Sequence, residues 1–352
     1  MGERAPLPIG RPGARAWSIV AIQLMTELIT VIPVHNGERF LPATLDCIAA
    51  QTQRPDRVVV FDNGSTDRTA EVVADFPGLH CELRRNGENI GGVGNLNRCL
   101  SLSSETRFLH LLMADDLVKP EFYAKLRSAM TTMKGRGLGY SFNENISQTG
   151  EVIGRHQQRP TGPARRVPLN DFLVPQAELS TVLLPGVVLK TDFQAPACLF
   201  RDFPQVADAL FLAEWATLTG EVVEVAEFLC QYRLHPFNAS SRNMYDLQHF
   251  VVDEWRVTQM VSGWMKGPRL ARAVRRLRFR CLHAARIQVK IDMMQLLRPS
   301  YVADIRRKRL ELVGVPATAL GWAAVRVRDA MRRLSGRPSR AAELISNAHL
   351  SA

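Results

Sequence analysis

At 352 residues, with 46 % apolar and 22 % charged side chains, the chain is long enough for one large domain plus an appendage and too apolar to be disordered. Its six cysteines show no CxxC pair and no regular spacing, which excludes a zinc ribbon and points to reduced thiols rather than a disulfide framework. The net charge of +11 is lopsided: residues 251–352 carry 21 Lys and Arg against 7 Asp and Glu, so the first 250 residues hold a net −3, and two surfaces of different character are expected.

Residues 1–24 are rich in Pro, Gly and Arg and read as a disordered tail reaching to about residue 26. The apolar stretch 17–25 is short and has no small-residue cleavage site, so a signal peptide is not expected. An apolar run, 28–34, reads as a buried strand and ends in His35-Asn36. Phe40, Leu41, Leu45, Ile48 and Ala49 then recur at helical spacing, which predicts a helix over 38–51. A second buried strand, 57–62, stops at Asp62-Asn63-Gly64-Ser65. Strand, helix, strand within about forty residues is a βαβ unit, and such units build parallel sheets. Ligands of open parallel sheets bind beyond the carboxyl ends of the strands, which places the binding edge at these two polar endings.

Further along, helices are predicted at 66–75, 92–103 and 119–133, and strands at 80–84, 107–113 and 138–142. Pro120 falls in a first helical turn, where proline is tolerated. The pattern loosens over 143–180, and the Pro, Gly and Arg of 159–168 read as a mobile loop. A strand at 183–189, a helix at 206–218 and a strand at 222–225 follow, the last leading through a turn or short helix to Tyr232. After residue 245 the pattern is helical. Leu270, Val274, Leu277, Cys281 and Ala284 recur at spacings of three and four, with Arg272, Arg275, Arg276, Arg278 and Arg280 around them, which predicts an amphipathic basic helix with that apolar stripe. Another basic cluster is Arg306-Arg307-Lys308-Arg309. The best candidate for a membrane span, 312–325, is short and carries Gly314, Pro316 and Gly321.

Five blocks, in this order, resemble those of the family 2 glycosyltransferases: Pro33-Val34-His35-Asn36, Asp62-Asn63-Gly64-Ser65-Thr66-Asp67, the glycine-rich stretch from Asn89 to Arg98, Met113-Ala114-Asp115-Asp116-Leu117-Val118-Lys119-Pro120, and Tyr232-Arg233-Leu234-His235. Together they cover roughly residues 28–240. The resemblance implies an α/β GT-A domain over 27–245 with a central, mostly parallel sheet, followed by a basic helical region, 246–352. It also implies an inverting transfer of a sugar from a UDP- or dTDP-sugar donor to a glycan or lipid-linked acceptor. Mn2+ or Mg2+ would assist, in cell-surface polysaccharide synthesis, in the cytoplasm or peripherally on the inner face of a membrane.

The chemistry such a transfer needs can be matched to residues. Negative charge grows on the leaving nucleoside diphosphate, so a divalent cation held by carboxylates is the natural stabiliser. Asp115 and Asp116, at a strand end, are the metal candidates; many family members have a third acid where Met113 stands here. The competing reading of the acid pair is a cap on the following helix. By resemblance, Pro33, Val34, His35, Asn36, Asp62, Asn63, Ala114 and Asp115 line the nucleotide, with Asp62 and Asn63 reading the base, although the same residues make ordinary turns. Glu38 either reaches the ribose or sits in a first helical turn. Asn97 and Arg98 follow Gly91, Gly92 and Gly94 and face the nucleotide or a helix surface. That glycine string follows the third strand and lacks the third Gly of the dinucleotide fingerprint, which disfavours a dehydrogenase. Asp208, some 25 residues before Tyr232, matches the family's general base, with Asp202 as competitor. Arg233 and His235 are expected at phosphate, acceptor or metal. Two other readings compete, an inactive scaffold and a nucleic-acid-binding protein. Aromatics are few and no nucleic-acid motif is present, so no nucleic-acid partner is expected. The basic helices either lie on an anionic membrane or keep their charges in water.

Overall fold

The computed structural model describes residues 26–156, 160–179, 182–235, 246–335 and 337–342. The expected N-terminal tail lies outside the described residues up to residue 25, and Thr26 already opens the first strand. β1 (Thr26–Val34) is flanked by β2 (Arg57–Asp62) and β4 (Thr106–Leu111), with β3 (Cys81–Arg85) beyond β2, all parallel. α1 (Leu41–Ala49), α2 (Thr69–Ala74) and α3 (Gly92–Leu100) make the crossovers. Successive residues of a strand point to opposite faces. Leu28, Ile32, Val58 and Val60 therefore pack with Leu41, Leu45, Ile48 and Val73 on one face, and Ile29, Val31, Val59 and Phe61 with Cys99 and Leu100 on the other. Strands covered on both sides read as unbroken apolar runs, which is why these were visible in the sequence.

The second half of the sheet is mixed. β9 (Val187–Lys190) pairs antiparallel with both β4 and β6 (Gly137–Ile146), and β10 (Glu221–Arg233) pairs parallel with β6. Two reversals restore direction, so β10 ends at the same edge as β1, β2 and β4. The predicted strand at 222–225 is only the start of β10: register shifts between Val225 and Cys230 carry it on to Arg233 in place of the expected turn or short helix. β5 (Leu117–Val118) closes the order on its far side. The region expected as a loose loop holds β7 (Val152–His156), paired with β6, and β8 (Gly162–Arg166), paired with β10. β8 is an exposed edge held by charge, Arg165 Nε to Glu224 at 3.0 Å and Arg166 to Glu221 at 3.1 Å, so it shows no apolar alternation.

α4 (Phe122–Met130), α5 (Leu169–Ala177) and α6 (Ala207–Thr219) complete the layers around the sheet. The core does not end at 245: Val257 and Val261 of α7 (Glu254–Trp264) and Met265 pack into the same cluster as Phe172, Leu210 and Ala213. Beyond it lie α8 (Arg269–Leu297), α9 (Val302–Val313) and α10 (Val315–Leu334). Gly321 of α10 lets the chain approach α8 so closely that a Cβ there would lie 2.6 Å from Ala285 N. The predicted apolar stripe of α8 is only half used. Cys281 and Ala284 meet Trp255, Val313 and Ala317, but Leu270, Val274 and Leu277 are 77 %, 60 % and 57 % exposed. The buried anchor of that end is Phe279, on the opposite side of the helix. Among the described residues no helix is long and apolar enough to cross a membrane.

Candidate active site

After β4 the chain turns, with Asp116 N–H donating to Met113 O at 3.1 Å, and the two acids part company. Asp115 keeps its carboxylate partly exposed, 2.8 Å from Nε2 of His235. His235 follows β10 and packs its ring on Phe40, 4.8 Å between centroids. Asp116 is fully buried and its Oδ1 accepts the backbone N–H of Arg233 at 2.8 Å. Burial, reinforced by the neighbouring Asp115 charge, pushes its pKa well above the usual carboxylate range. Asp115 and His235 thus form a carboxylate–imidazole pair beyond the ends of β4 and β10, while Asp116, expected beside Asp115 at a metal, turns inward to hold β10. Arg233 is corrected too. Its Nε donates to Asp115 O at 2.8 Å and its Nη1 to Ser147 O at 3.2 Å and Gln148 O at 3.0 Å, while the guanidinium lies 5.1 Å from the Phe40 ring. It ties backbone turns together and is not spread for a phosphate.

On the donor side, Pro33 and Val34 end β1, and His35 and Asn36 are exposed beyond them, His35 Nδ1 lying 3.1 Å from Asn63 O. Asn36 adopts a left-handed φ of 55°, stabilised by its N–H to Ser65 Oγ and its Oδ1 from Thr66 N–H, both 2.8 Å. A side chain at Gly37 would place Cβ 2.4 Å from Val34 Cγ2, so this bend needs glycine. Glu38 N–H donates to Asp67 Oδ2 and Glu38 Oε2 accepts Arg68 N–H, both at 3.0 Å; the carboxylate latches two loops and does not reach outward to a ribose. Asp62 is buried, with Oδ1 accepting Ser65 N–H at 2.8 Å and Oδ2 3.1 Å from Arg85 Nε. Arg85 was missed because only the β2–β3 register, Asp62 opposite Arg85, brings it here. Ala114 lies on the same edge, its O accepting Thr44 Oγ–H at 3.0 Å.

The side chains of Asn63 and Asn97, expected at the nucleotide, are instead held within the protein. Asn63 spends its whole amide on the glycine-rich loop: Nδ2 donates to Asn89 Oδ1 at 2.8 Å, and Oδ1 accepts from Asn86 Nδ2 at 2.8 Å and Ile90 N–H at 3.0 Å. Only its backbone is left to face a base. Asn97 gives both ends of its amide to the peptide of Phe200, Nδ2 to O at 3.0 Å and Oδ1 from N–H at 2.8 Å, so it does not face the nucleotide either. Arg98 stays exposed at the lip and donates to Asn86 Oδ1.

Asp208 opens α6, its Oδ1 accepting Ala209 N–H at 2.8 Å, and burial raises its pKa above the usual carboxylate value. Gly220, left-handed at φ 80°, ends α6 and passes straight into β10, so the helix runs back along the strand. Lys190 pairs with both Phe108 and Gly137, and Gly137 with Glu221, so β4, β6 and β10 are level there. A 13-residue helix rises about 20 Å, and six strand residues span about 20 Å. The start of α6 therefore lies toward the end of the sheet at which β4, β6 and β10 finish. Asp202, the competitor, lies in an exposed turn before Phe203. Among the described residues there is no group of three or more His, Cys, Asp or Glu side chains able to hold a metal.

Residues 30–165 match the family model described as glycosyl transferase family 2. Among curated proteins, an uncharacterized glycosyltransferase of Haemophilus influenzae is 24 % identical over 218 residues, 60 % of this chain and 66 % of that protein. Amylovoran biosynthesis glycosyltransferase AmsB of Erwinia amylovora is 29 % identical over 140 residues, 38 % of this chain and 46 % of that protein. The chain thus spans just under two thirds of the first of these relatives and less than half of the second. Among solved structures, S. aureus TarS 1-349 in complex with UDP-GlcNAc superposes with a TM-score of 0.60 at 16 % identity, covering 84 % of this chain and 83 % of that one. The mannosyltransferase PcManGT from Pyrobaculum calidifontis, in complex with GDP-Man and Mn2+, gives 0.51 at 16 % identity, covering 92 % and 79 %. These likenesses establish the GT-A fold that the five sequence blocks implied.

Proposed function

We propose that this chain, whose residues 30–165 belong to glycosyl transferase family 2, is an inverting glycosyltransferase that moves a sugar from a nucleoside diphosphate to a glycan or lipid-linked acceptor. The observation that carries the reading is the Asp115–His235 pair, 2.8 Å apart beyond the ends of β4 and β10. The nucleoside lies between the ends of β1 and β2, against His35, Asn36, Asp62 with its partner Arg85, and the backbone of Asn63. The carboxylate of Asp115 suits either Mn2+ or Mg2+, with phosphate oxygens and water as further ligands, and an imidazole such as that of His235 would favour Mn2+ over Mg2+. When bound, such an ion neutralises charge on the leaving diphosphate. Asp208 accepts the proton of the acceptor hydroxyl. That oxygen forms its bond to C1 of the sugar while the bond from C1 to the diphosphate oxygen breaks on the opposite face. A carboxyl group whose pKa lies above the ordinary value is the better base for this step. The support from relatives is that an amylovoran biosynthesis enzyme is similar in sequence and that one structural neighbour holds GDP-Man with Mn2+. The test is the melting midpoint with UDP, dTDP and GDP, each in Mn2+ and in EDTA. UDP or dTDP should stabilise more in Mn2+, because a ligand that binds only the folded chain raises its stability. No shift with any of the three sinks the reading.

The acceptor surface is proposed to include an anionic bilayer. Leu270, Val274 and Leu277 point away from the buried side of α8, and the exposed Arg269, Arg276, Arg278 and Arg280 flank them. A helix with an uncovered apolar stripe between arginines suits an interface of acyl chains and negative headgroups. The full chain should bind anionic vesicles, not neutral ones, and the binding should fade with salt, since charges are screened over about 8 Å at physiological ionic strength. Replacing Arg269, Arg276 and Arg280 by Gln should weaken binding by about 1 kcal/mol per charge. Equal binding to neutral and anionic vesicles, or none to either, removes the membrane from the proposal.

A further inference from the structure

Asn97 is separated by 103 positions from the residue it grips, and that grip links the two halves of the site. A side-chain amide facing a peptide with both donor and acceptor paired imitates one rung of a sheet. The peptide belongs to Phe200, which is buried and stacks its ring on Phe211 at 3.9 Å between centroids and 15° between planes. Phe211 lies on α6 three residues after Asp208, close to one helical turn. Cys198 adds a contact from its Sγ to Phe211 O at 3.8 Å. At the other end, α3 is fastened to the donor edge. Asn95 Nδ2 donates to Phe61 O at 2.9 Å, and Arg98 reaches Asn86, which bonds Asn63 at 2.8 Å. A nine-residue helix thus touches the loop beside the nucleotide on one side and the segment carrying Asp208 on the other.

We propose that Asn97 is a positioning residue that sets the place of Asp208 relative to the donor pocket by holding the Phe200 peptide. This rests on the reading of Asp208 as the base. Group transfer is sensitive to such placement, since a 1 Å displacement costs on the order of a hundredfold in rate. The donor pocket itself does not depend on the grip, because the bonds that shape the glycine-rich loop come from Asn63, Asn86, Asn89 and Asn95.

Steady-state kinetics on Asn97→Ala, Asn97→Asp and Asn97→Gln separate the possibilities. Asn97→Ala loses both bonds, and kcat should fall roughly ten- to a hundredfold, with the donor KM and the UDP·Mn2+ melting shift within about twofold of the parent. Asn97→Asp still accepts the Phe200 N–H but cannot donate to its carbonyl, so it should lie between parent and Ala. Asn97→Gln keeps both groups on a longer arm and should recover part of the loss. If the alanine variant does not fold, the Asp variant, with one bond retained, carries the same comparison. A donor KM that rises in step with the loss of kcat would make Asn97 a nucleotide residue and overturn the proposal. Unchanged kcat in folded Asn97→Ala would reduce the grip to a structural staple. Asp208→Asn is run alongside. If it keeps its turnover, the base reading and this inference both fall; if it is inactive while Asn97→Ala is fully active, only this inference does.

Discussion

Asp208→Asn is expected to lower turnover by roughly two to four powers of ten while UDP in Mn2+ still raises the melting midpoint as in the parent. Asparagine has nearly the same shape, and its Oδ1 can still accept the Ala209 N–H that Asp208 holds at 2.8 Å. It cannot take a proton. The same change should leave the fold intact or raise its midpoint at neutral pH, because burial holds the Asp208 pKa above the ordinary value. A group whose pKa is raised in the folded chain binds its proton more tightly there than when unfolded. Stability therefore falls as pH rises from the ordinary carboxylate value through the folded one, and the asparagine avoids that loss. The advantage of the variant should vanish in acid, and parent turnover should fall as pH drops through the raised pKa. If Asp202→Asn abolishes turnover and Asp208→Asn does not, the base is the earlier aspartate.

Asp115→Ala and His235→Ala should each remove the extra stabilisation that UDP gains in Mn2+ over EDTA, and lower turnover by at least roughly two powers of ten. Asp116→Ala should behave differently although it stands next door. It removes the carboxylate that accepts the buried N–H of Arg233, and losing a buried hydrogen bond to a charged group costs about 1–3 kcal/mol. Its signature is a lower melting midpoint in EDTA as well as in Mn2+. Circular dichroism melts of the three variants in both buffers make the comparison. An Asp116→Ala protein that melts like the parent in EDTA but has lost the manganese effect would return that acid to the metal.

Strand ends and their polar punctuation were legible because a two-sided buried strand leaves an unbroken apolar run, and β1, β2 and β4 are of that kind. So was the turn at Asp115-Asp116. What sequence did not reveal was how each polar side chain is used. An asparagine offers the same donor and acceptor to a ligand, a loop or a distant peptide, and Asn63 and Asn97 are spent on the latter two. Glu38 is spent on Arg68 N–H for the same reason. Arg85 and Arg233 owe their roles to register and to a strand that arrives over a hundred positions after the turn it holds. The periodicity of α8 predicts a stripe but does not say whether a partner covers it, and among the described residues Leu270, Val274 and Leu277 stay exposed.

The bond between Asp116 and the Arg233 N–H spans 117 positions, and it has a consequence for biosynthesis. The stretch that matches the family, 30–165, leaves the ribosome complete while β10 is still unmade. At about 5–20 residues per second the acidic turn waits roughly 6 to 23 s for the strand that buries it. Until then Asp116 stays hydrated, and β6 lacks the neighbour that will lie along it from Gly137 to Ile146. A nascent chain cut anywhere between 165 and 232 would carry both acids of the turn, Asp115 and Asp116, and lack the Arg233 N–H that Asp116 accepts. Only a chain translated past residue 235 can bury Asp116 against the Arg233 N–H and bring His235 to Asp115.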